Sequence, residues 1–389
     1  MECGLRVYYY GSPVHLSGEH AVRVPHPVRG WTLDPGGEAF QRTKDYGVTV
    51  RINAKGLRDQ PHDYEPEAGV FRIIVLGDSF MEAYQVPLED SLPYRLQERL
   101  GQRRVEVINL GVGGYGTAQQ YLYLRDEGLR YRPYVVVMAF FTGNDVQNNS
   151  RPLQELLWGA DALKAFGRPY AHVGELESDI LWELPDSKRL TQVAKRRRQK
   201  RARLGYRIVK QIQPAVLFGA FEAAVAAAGL DAPGKRTYEP DALFGWAFRR
   251  EHGAEDVWDE AWLVTQRLIL ETQRLAASHG ARFALLIVPT NFQVERDSLR
   301  DLEAAFPSLD FDSTRINRAL ARFASSSGVP ILDLTDSFVE ANEREPASLY
   351  HQREDKHWNA QGHELAAAEL ERFLERQGWL PAQSTNRSK

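Results

Sequence analysis

Ser79 closes the run FRIIVLGDS, Phe71 to Ser79, in which Ile73 to Leu76 are all apolar and Gly77-Asp78 precede the serine. A mostly β-branched run that stops at a polar turn reads as a buried strand, which sets the Ser79 hydroxyl just past its carboxyl end. In open α/β sheets that edge is where ligands bind. A serine alcohol is a weak nucleophile at neutral pH: it needs a base for its proton and donors for the oxyanion that its attack creates. Three other stretches offer such groups. Asn109-Leu110-Gly111-Val112-Gly113-Gly114-Tyr115-Gly116 is glycine-rich, so its N–H groups can approach a substrate oxygen with no Cβ in the way. The G-x-G-x-x-G spacing of a phosphate loop is absent, and a plain turn is the other reading. Thr142-Gly143-Asn144-Asp145 offers an amide donor, or else a turn or helix cap. In Asp355-Lys356-His357-Trp358-Asn359, extended backbone puts residues i and i+2 on one side. The Asp355 carboxylate then lies beside the His357 ring, fixing its tautomer and steadying the imidazolium, while Lys356 points away.

The elements around these residues alternate. Strands are expected at Arg72–Leu76, Val105–Leu110, Tyr134–Phe141, Phe283–Val288 and Val329–Leu334. Between and after them, leucine spacing and glycine stops mark helices near 92–100, 118–127, 255–279, 313–326 and 360–376. Such a rhythm implies a parallel sheet with right-handed crossovers, and it puts all four stretches at one sheet edge. It breaks between residues 150 and 255, which show no strand alternation. Four regions follow: an irregular arm over 1–69 packed on the main domain, a sheet domain formed by 70–149 and 256–380, a mainly helical insertion or cap over 150–255, and a disordered tail over 381–389.

With the four stretches in this order, the chain resembles the SGNH, or GDSL-type, hydrolase superfamily. Gly77-Asp78-Ser79-Phe80 matches its first block, Asn109 to Gly114 its second, Gly143-Asn144-Asp145 its third, and Asp355 with His357 its last. The resemblance implies a flavodoxin-like three-layer α/β/α sandwich on a five-stranded parallel sheet. It also implies a catalytic triad of Ser79 as nucleophile, His357 as general base and acid, and Asp355 as its orienter. The implied oxyanion hole is the backbone N–H of Ser79, that of Gly114 (or its neighbour Gly113) and the side chain of Asn144. The activity implied is a serine esterase acting on a short O-acyl ester of a small molecule or glycan, with no cofactor. Many members space the last pair as D-x-x-H. The D-x-H-W here resembles the polysaccharide O-acetyltransferase branch, so transfer of an acetyl group to a sugar hydroxyl is the alternative, and a non-catalytic carbohydrate-binding protein the second.

Composition narrows the field further. The chain has 389 residues, 43% of them hydrophobic, a net charge of -3 and one cysteine, Cys3. That excludes an intrachain disulfide and a cysteine metal site and gives no global argument for nucleic acid. No run of about 18 apolar residues is present, and residues 1–20 lack the apolar core of a signal peptide. The cytoplasm is thus the default expectation, with a periplasmic or membrane-associated place if an anchor lies upstream. The basic run Lys195 to Arg203, ahead of Leu204, Ile208 and Ile212, reads as a solvated helical face or as a contact for an anionic lipid or polysaccharide. Asn53, Gly56, Arg58 and Asp59 border a site or serve structure, with Gly56 in a turn and Arg58 in an ion pair. Asp333 and Asp336 end the fifth strand, where Asp336 suits a helix cap. His351 and His363 read as surface or packing residues, Lys356 as solvated, and no cluster has metal-ligand spacing.

Overall fold

The computed structural model describes residues 22–158, 167–174, 180–185, 247–250, 255–307, 309–346, 348–353 and 355–382. The basic run Lys195 to Arg203, the apolar stretch after it, Cys3 and positions 383–389 of the expected tail lie outside these residues.

Two antiparallel hairpins come first: β1 (Arg23–His26) with β2 (Gly30–Leu33), and β3 (Glu38–Arg42) with β4 (Gly47–Arg51). In the second, Ala39, Gln41, Val48 and Val50 face inward and their neighbours face water, the period-two pattern of a half-buried hairpin. The main sheet follows, with β5 (Phe71–Gly77), β6 (Val105–Gly111), β7 (Val135–Phe141), β10 (Arg282–Val288) and β11 (Ile331–Asp333) all parallel in the order β11-β10-β7-β5-β6. Strands covered on both faces read as unbroken apolar runs, and Ile73 to Leu76 and Val135 to Met138 are all fully buried. On one face Ile74, Leu76, Met138 and Ile287 meet side chains of the helices Thr117–Asp126, Glu255–Ser278 and Arg315–Ser327. On the other, Ile73, Val75, Val137 and Leu286 meet those of Leu92–Leu100 and Ala360–Arg376. This is the expected three-layer α/β/α sandwich.

Connections leave β5 and β7 in opposite directions, the first toward β6 and the second toward β10. Their carboxyl ends therefore flank the topological switch point of the sheet, where such folds bind ligands.

Several local outcomes differ from the sequence reading. β11 spans only three residues of the expected six; it is an edge strand, and Pro330 has no N–H for the ladder. The helices Asn291–Val294, Arg296–Ala305 and Thr335–Arg344 were not expected. Within 150–255 the described residues include the helix Arg151–Trp158 and also a hairpin, β8 (Tyr170–Val173) with β9 (Ile180–Glu183), where the sequence showed no strand alternation. Asp336 is not the cap: Leu334 starts the helix Thr335–Arg344 with no side-chain cap, Asp336 lies in its first turn, and Asp333 accepts from the N–H of Thr335 at 2.9 Å. Among the described residues no helix is long and apolar enough to cross a membrane.

His363 is a packing residue. Its ring is buried on the Ala360–Arg376 helix, and its Nδ1 accepts the Leu92 N–H at 3.2 Å, which requires the neutral form at that nitrogen. Burial, with Arg58 and two histidines adding to it, holds its pKa down at about 3. The unfolded chain therefore takes up a proton below pH 6.5 that the folded chain refuses. Stability should be full above that pH and fall by up to about 1.4 kcal/mol per pH unit for this group as pH drops toward 3. His26, lowered to about 4 by burial and Arg29, adds to the same trend. Urea unfolding between pH 7 and 4.5 should show a shallower decline for His363→Gln, whose amide oxygen still accepts from Leu92. An unchanged slope would clear His363 of the effect.

Candidate active site

β5 ends at Gly77, and the chain turns at once into the short helix Ser79–Glu82. The Asp78 carboxylate caps that helix, accepting from the Phe80 N–H at 3.0 Å, and Ala83 in the left-handed region (φ 54°) ends it. Two glycines let the helix lie tightly over the strand ends. A Cβ on Gly77 would come within 2.3 Å of the Met81 side chain, and one on Gly111 within 2.5 Å of Met81 and Glu82 backbone atoms.

From the other end of the chain, the bridge Tyr350 to Trp358 brings two segments together, with the His351 N–H donating to the His357 carbonyl at 2.9 Å. Trp358 is fully buried and packs against Phe80 and Phe338. It ties the backbone next to His357 to the Phe80 ring next to Ser79.

These elements bring three of the residues singled out from the sequence into one chain of contacts. His357 Nε2 lies 2.7 Å from Ser79 Oγ, and His357 Nδ1 lies 2.6 Å from Asp355 Oδ1, which also accepts the His357 backbone N–H at 2.8 Å. Burial by itself would raise the Asp355 carboxyl. The neighbouring His357, its two hydrogen bonds and one from Tyr46 outweigh that and hold the carboxyl far below the usual carboxylate range. Asp355 is thus a carboxylate throughout the neutral range. Ser79 itself is 7% exposed, reachable but sheltered.

Asn144 starts the helix Asp145–Asn149 at the end of β7, beside β5, and its side chain caps nothing. In the glycine loop the two candidates differ: the Gly113 N–H donates to the Glu82 carboxylate at 2.5 Å, whereas the Gly114 N–H meets no acceptor among the described residues. Gly114 has φ +75° and lies against Trp31, whose Nε1 donates to the Gly113 carbonyl at 3.2 Å.

Several groups here escaped the sequence reading. Glu82 is fully buried and paired with Arg23. Asp145, which the sequence reading did place in the third stretch, is fully buried and accepts the Phe141 N–H at 3.1 Å, and burial and the charge of Asp78 raise its carboxyl well above the ordinary range. Asp45 and Tyr46 reach the Asp355 loop from the β3–β4 turn. Arg58 was expected in an ion pair; instead its guanidinium donates to three carbonyls, those of Glu82 and Ala83 at 2.7 Å and Val86 at 2.6 Å. Asp59 accepts the Asn109 N–H at 2.7 Å, and Gly56 takes its turn with φ +80°. Lys356 donates to the Gln352 carbonyl at 3.3 Å. His351 packs against Tyr46. Among the described residues no group of three or more His, Cys, Asp or Glu side chains has the arrangement of a metal site.

Residues 244–388 match the family model described as SGNH hydrolase-like domain, acetyltransferase AlgX. Over those residues, somewhat more than a third of the chain, the sequence is similar to that SGNH hydrolase-like domain. The match takes in Asp355 and His357, while Ser79 lies outside it. No curated protein matches the sequence. Similar solved structures include the lipase/acylhydrolase from Enterococcus faecalis, 15% identical with a TM-score of 0.37 over 81% of this chain and 100% of that one. An acetyl xylan esterase is 14% identical with a TM-score of 0.38 over 77% and 98%. A two-domain esterase active on acetylated mannans is 12% identical with a TM-score of 0.37 over 82% and 54%. SGNH hydrolases as a superfamily act on esters.

Proposed function

We propose that this SGNH domain is a serine esterase that carries a short acyl group, such as acetyl, on Ser79. The observation that supports it most is the unbroken hydrogen-bonded path from Ser79 Oγ through His357 to Asp355. Ser79 Oγ attacks the ester carbonyl as its proton passes to His357 Nε2, and Asp355 holds the resulting imidazolium. The negative charge on the carbonyl oxygen falls to the N–H groups of Ser79 and Gly114 and the amide of Asn144. Collapse expels the alcohol, which takes the proton from His357. Water, deprotonated by the same ring, then releases the acid.

A second reading replaces that water by a sugar hydroxyl, making the protein an O-acetyltransferase for a polysaccharide or glycan. The D-x-H-W spacing and the description of the matching family favour it. With a polysaccharide acceptor, the periplasmic placement fits better than the cytoplasmic default. A contact of Lys195 to Arg203 with an anionic polymer or membrane surface belongs to the same reading.

A fluorophosphonate probe tests both at once, because it labels only an activated serine. Intact mass and peptide mapping should find one adduct, on Ser79. A protein that stays unlabelled would instead be the non-catalytic carbohydrate binder. Mass spectrometry of the acyl-enzyme trapped from an acetylated donor would then identify the acyl group.

A further inference from the structure

The turn between β3 and β4, Thr43 to Tyr46, lies some three hundred positions from the last sequence block, yet it grips that block at four points. The Asp45 carboxylate accepts two backbone N–H groups of the loop, that of Arg353 on Oδ1 at 2.9 Å and that of Asp355 on Oδ2 at 3.0 Å. The Arg353 guanidinium donates to the Lys44 carbonyl at 3.4 Å. The Tyr46 hydroxyl donates to Asp355 Oδ2 at 3.0 Å, on the oxygen that His357 does not use. The Tyr46 ring is held in turn between His351 and Tyr84, at 5.1 and 6.4 Å.

We propose that Tyr46 and Asp45 are positioning residues for the reaction: the hairpin turn fixes the Asp355 carboxylate, and through it the His357 ring, in line with Ser79. The physics is that of a carboxylate with two oxygens. Oδ1 is committed to His357, so the plane of the carboxyl group is set by what binds Oδ2, and a charge-assisted donor there is strong and directional. The two bonds to Asp45 hold the main chain that carries the group. Neither residue touches the place where a substrate carbonyl would sit, so each acts through Asp355. This rests on the esterase reading for its kinetic consequences, but the geometry of the pair can be tested without turnover.

Other charged or titratable groups facing the pair are Asp45 from the hairpin turn, His351 from its own loop, Tyr84 beyond the Ser79–Glu82 helix, and His363 on the terminal helix, within range of Arg58. These stay in place in Tyr46→Phe, which removes one oxygen and keeps the ring. Its loss leaves Asp355 more basic, so the imidazolium gains stability and the acid limb of kcat/KM should move to higher pH. The expected result is a fall in kcat of about tenfold with KM within about twofold, because a carboxylate and ring no longer held in line with Ser79 spend less time in the reacting geometry. Asp45→Ala should cost more and Asp45→Asn, which restores an acceptor, less. Thermal melts confirm that each variant is folded, and Tyr46→Phe carries the test if Asp45→Ala is not.

In parallel, the Nδ1 proton resonance of His357 and its titration are followed by NMR. A Tyr46→Phe protein with wild-type kcat, pH limb and His357 resonance, in a background where Ser79→Ala is inactive, overturns the positioning role and leaves the esterase intact. If the wild type has no Ser79-dependent turnover, the esterase reading falls by itself. The resonance then decides the role of Tyr46: a shifted titration supports it, an unchanged one overturns it.

Discussion

Ser79→Ala should lower turnover of p-nitrophenyl acetate by about 10⁴-fold or more while the protein stays folded. The substitution deletes one oxygen from a side chain that contributes no packing beyond its Cβ, and the Asp78 cap of the same helix remains. The melting temperature should therefore change little, and the loss lies in the chemistry. His357→Ala should be nearly as damaging, because the three residues act as a unit whose single deletions do not add. Asp355→Asn should leave more residual rate, since an amide still fills the place beside the ring. Turnover by Ser79→Ala equal to the wild type would end the acyl-enzyme reading outright.

Arg58→Met should have the largest effect on stability. Arg58 is 1% exposed, and its guanidinium is the shared donor to the carbonyls of Glu82, Ala83 and Val86. Methionine fills the space and supplies no donor, so buried acceptors are stranded at the end of the helix Ser79–Glu82. A loss of about 3–5 kcal/mol is expected, since each buried group left without a partner costs about 1–3 kcal/mol and such costs do not fully add. Arg58→Lys should recover only part, because one ammonium cannot span three carbonyls in a plane. Urea unfolding of the two variants gives the measurement. A loss below about 1 kcal/mol for methionine would mean that water or a backbone shift replaces the guanidinium. Although burial lowers its pKa to about 10, Arg58 keeps its charge at neutral pH, so the loss should be nearly independent of pH between 6 and 8.

The core strands were legible because a doubly covered parallel strand has no choice but a run of apolar residues, and the Gly77-Asp78-Ser79 stop is abrupt. The Asp355 and His357 pair was legible because spacing along an extended segment sets which side chains share a side. Helices with a thin apolar stripe were not. Arg296–Ala305 buries only Leu302, and Thr335–Arg344 only Phe338, so neither shows a usable period. Contacts between distant parts of the chain were not legible either. Nothing in the turn Thr43 to Tyr46 points to Asp355, and Arg58 beside Asp59 looks like half of an ion pair until the strand ends bring three carbonyls to it. That the Gly113 N–H is taken by the Glu82 carboxylate was not legible either, because the place of Glu82 beside the loop follows from the turn after Ser79 and from no local pattern.

β7 and β10 lie side by side and pair residue for residue over their full length, from Arg282 opposite Val135 to Val288 opposite Phe141. A stretch of chain the size of a small domain leaves one and returns to the other. Closing so long an excursion costs little more than closing a short one, about 0.6 kcal/mol per doubling of length. Natural variation can therefore lengthen, shorten or replace much of the excursion between Asn149 and the helix Glu255–Ser278 while the sheet and the helices that cover it stay as they are.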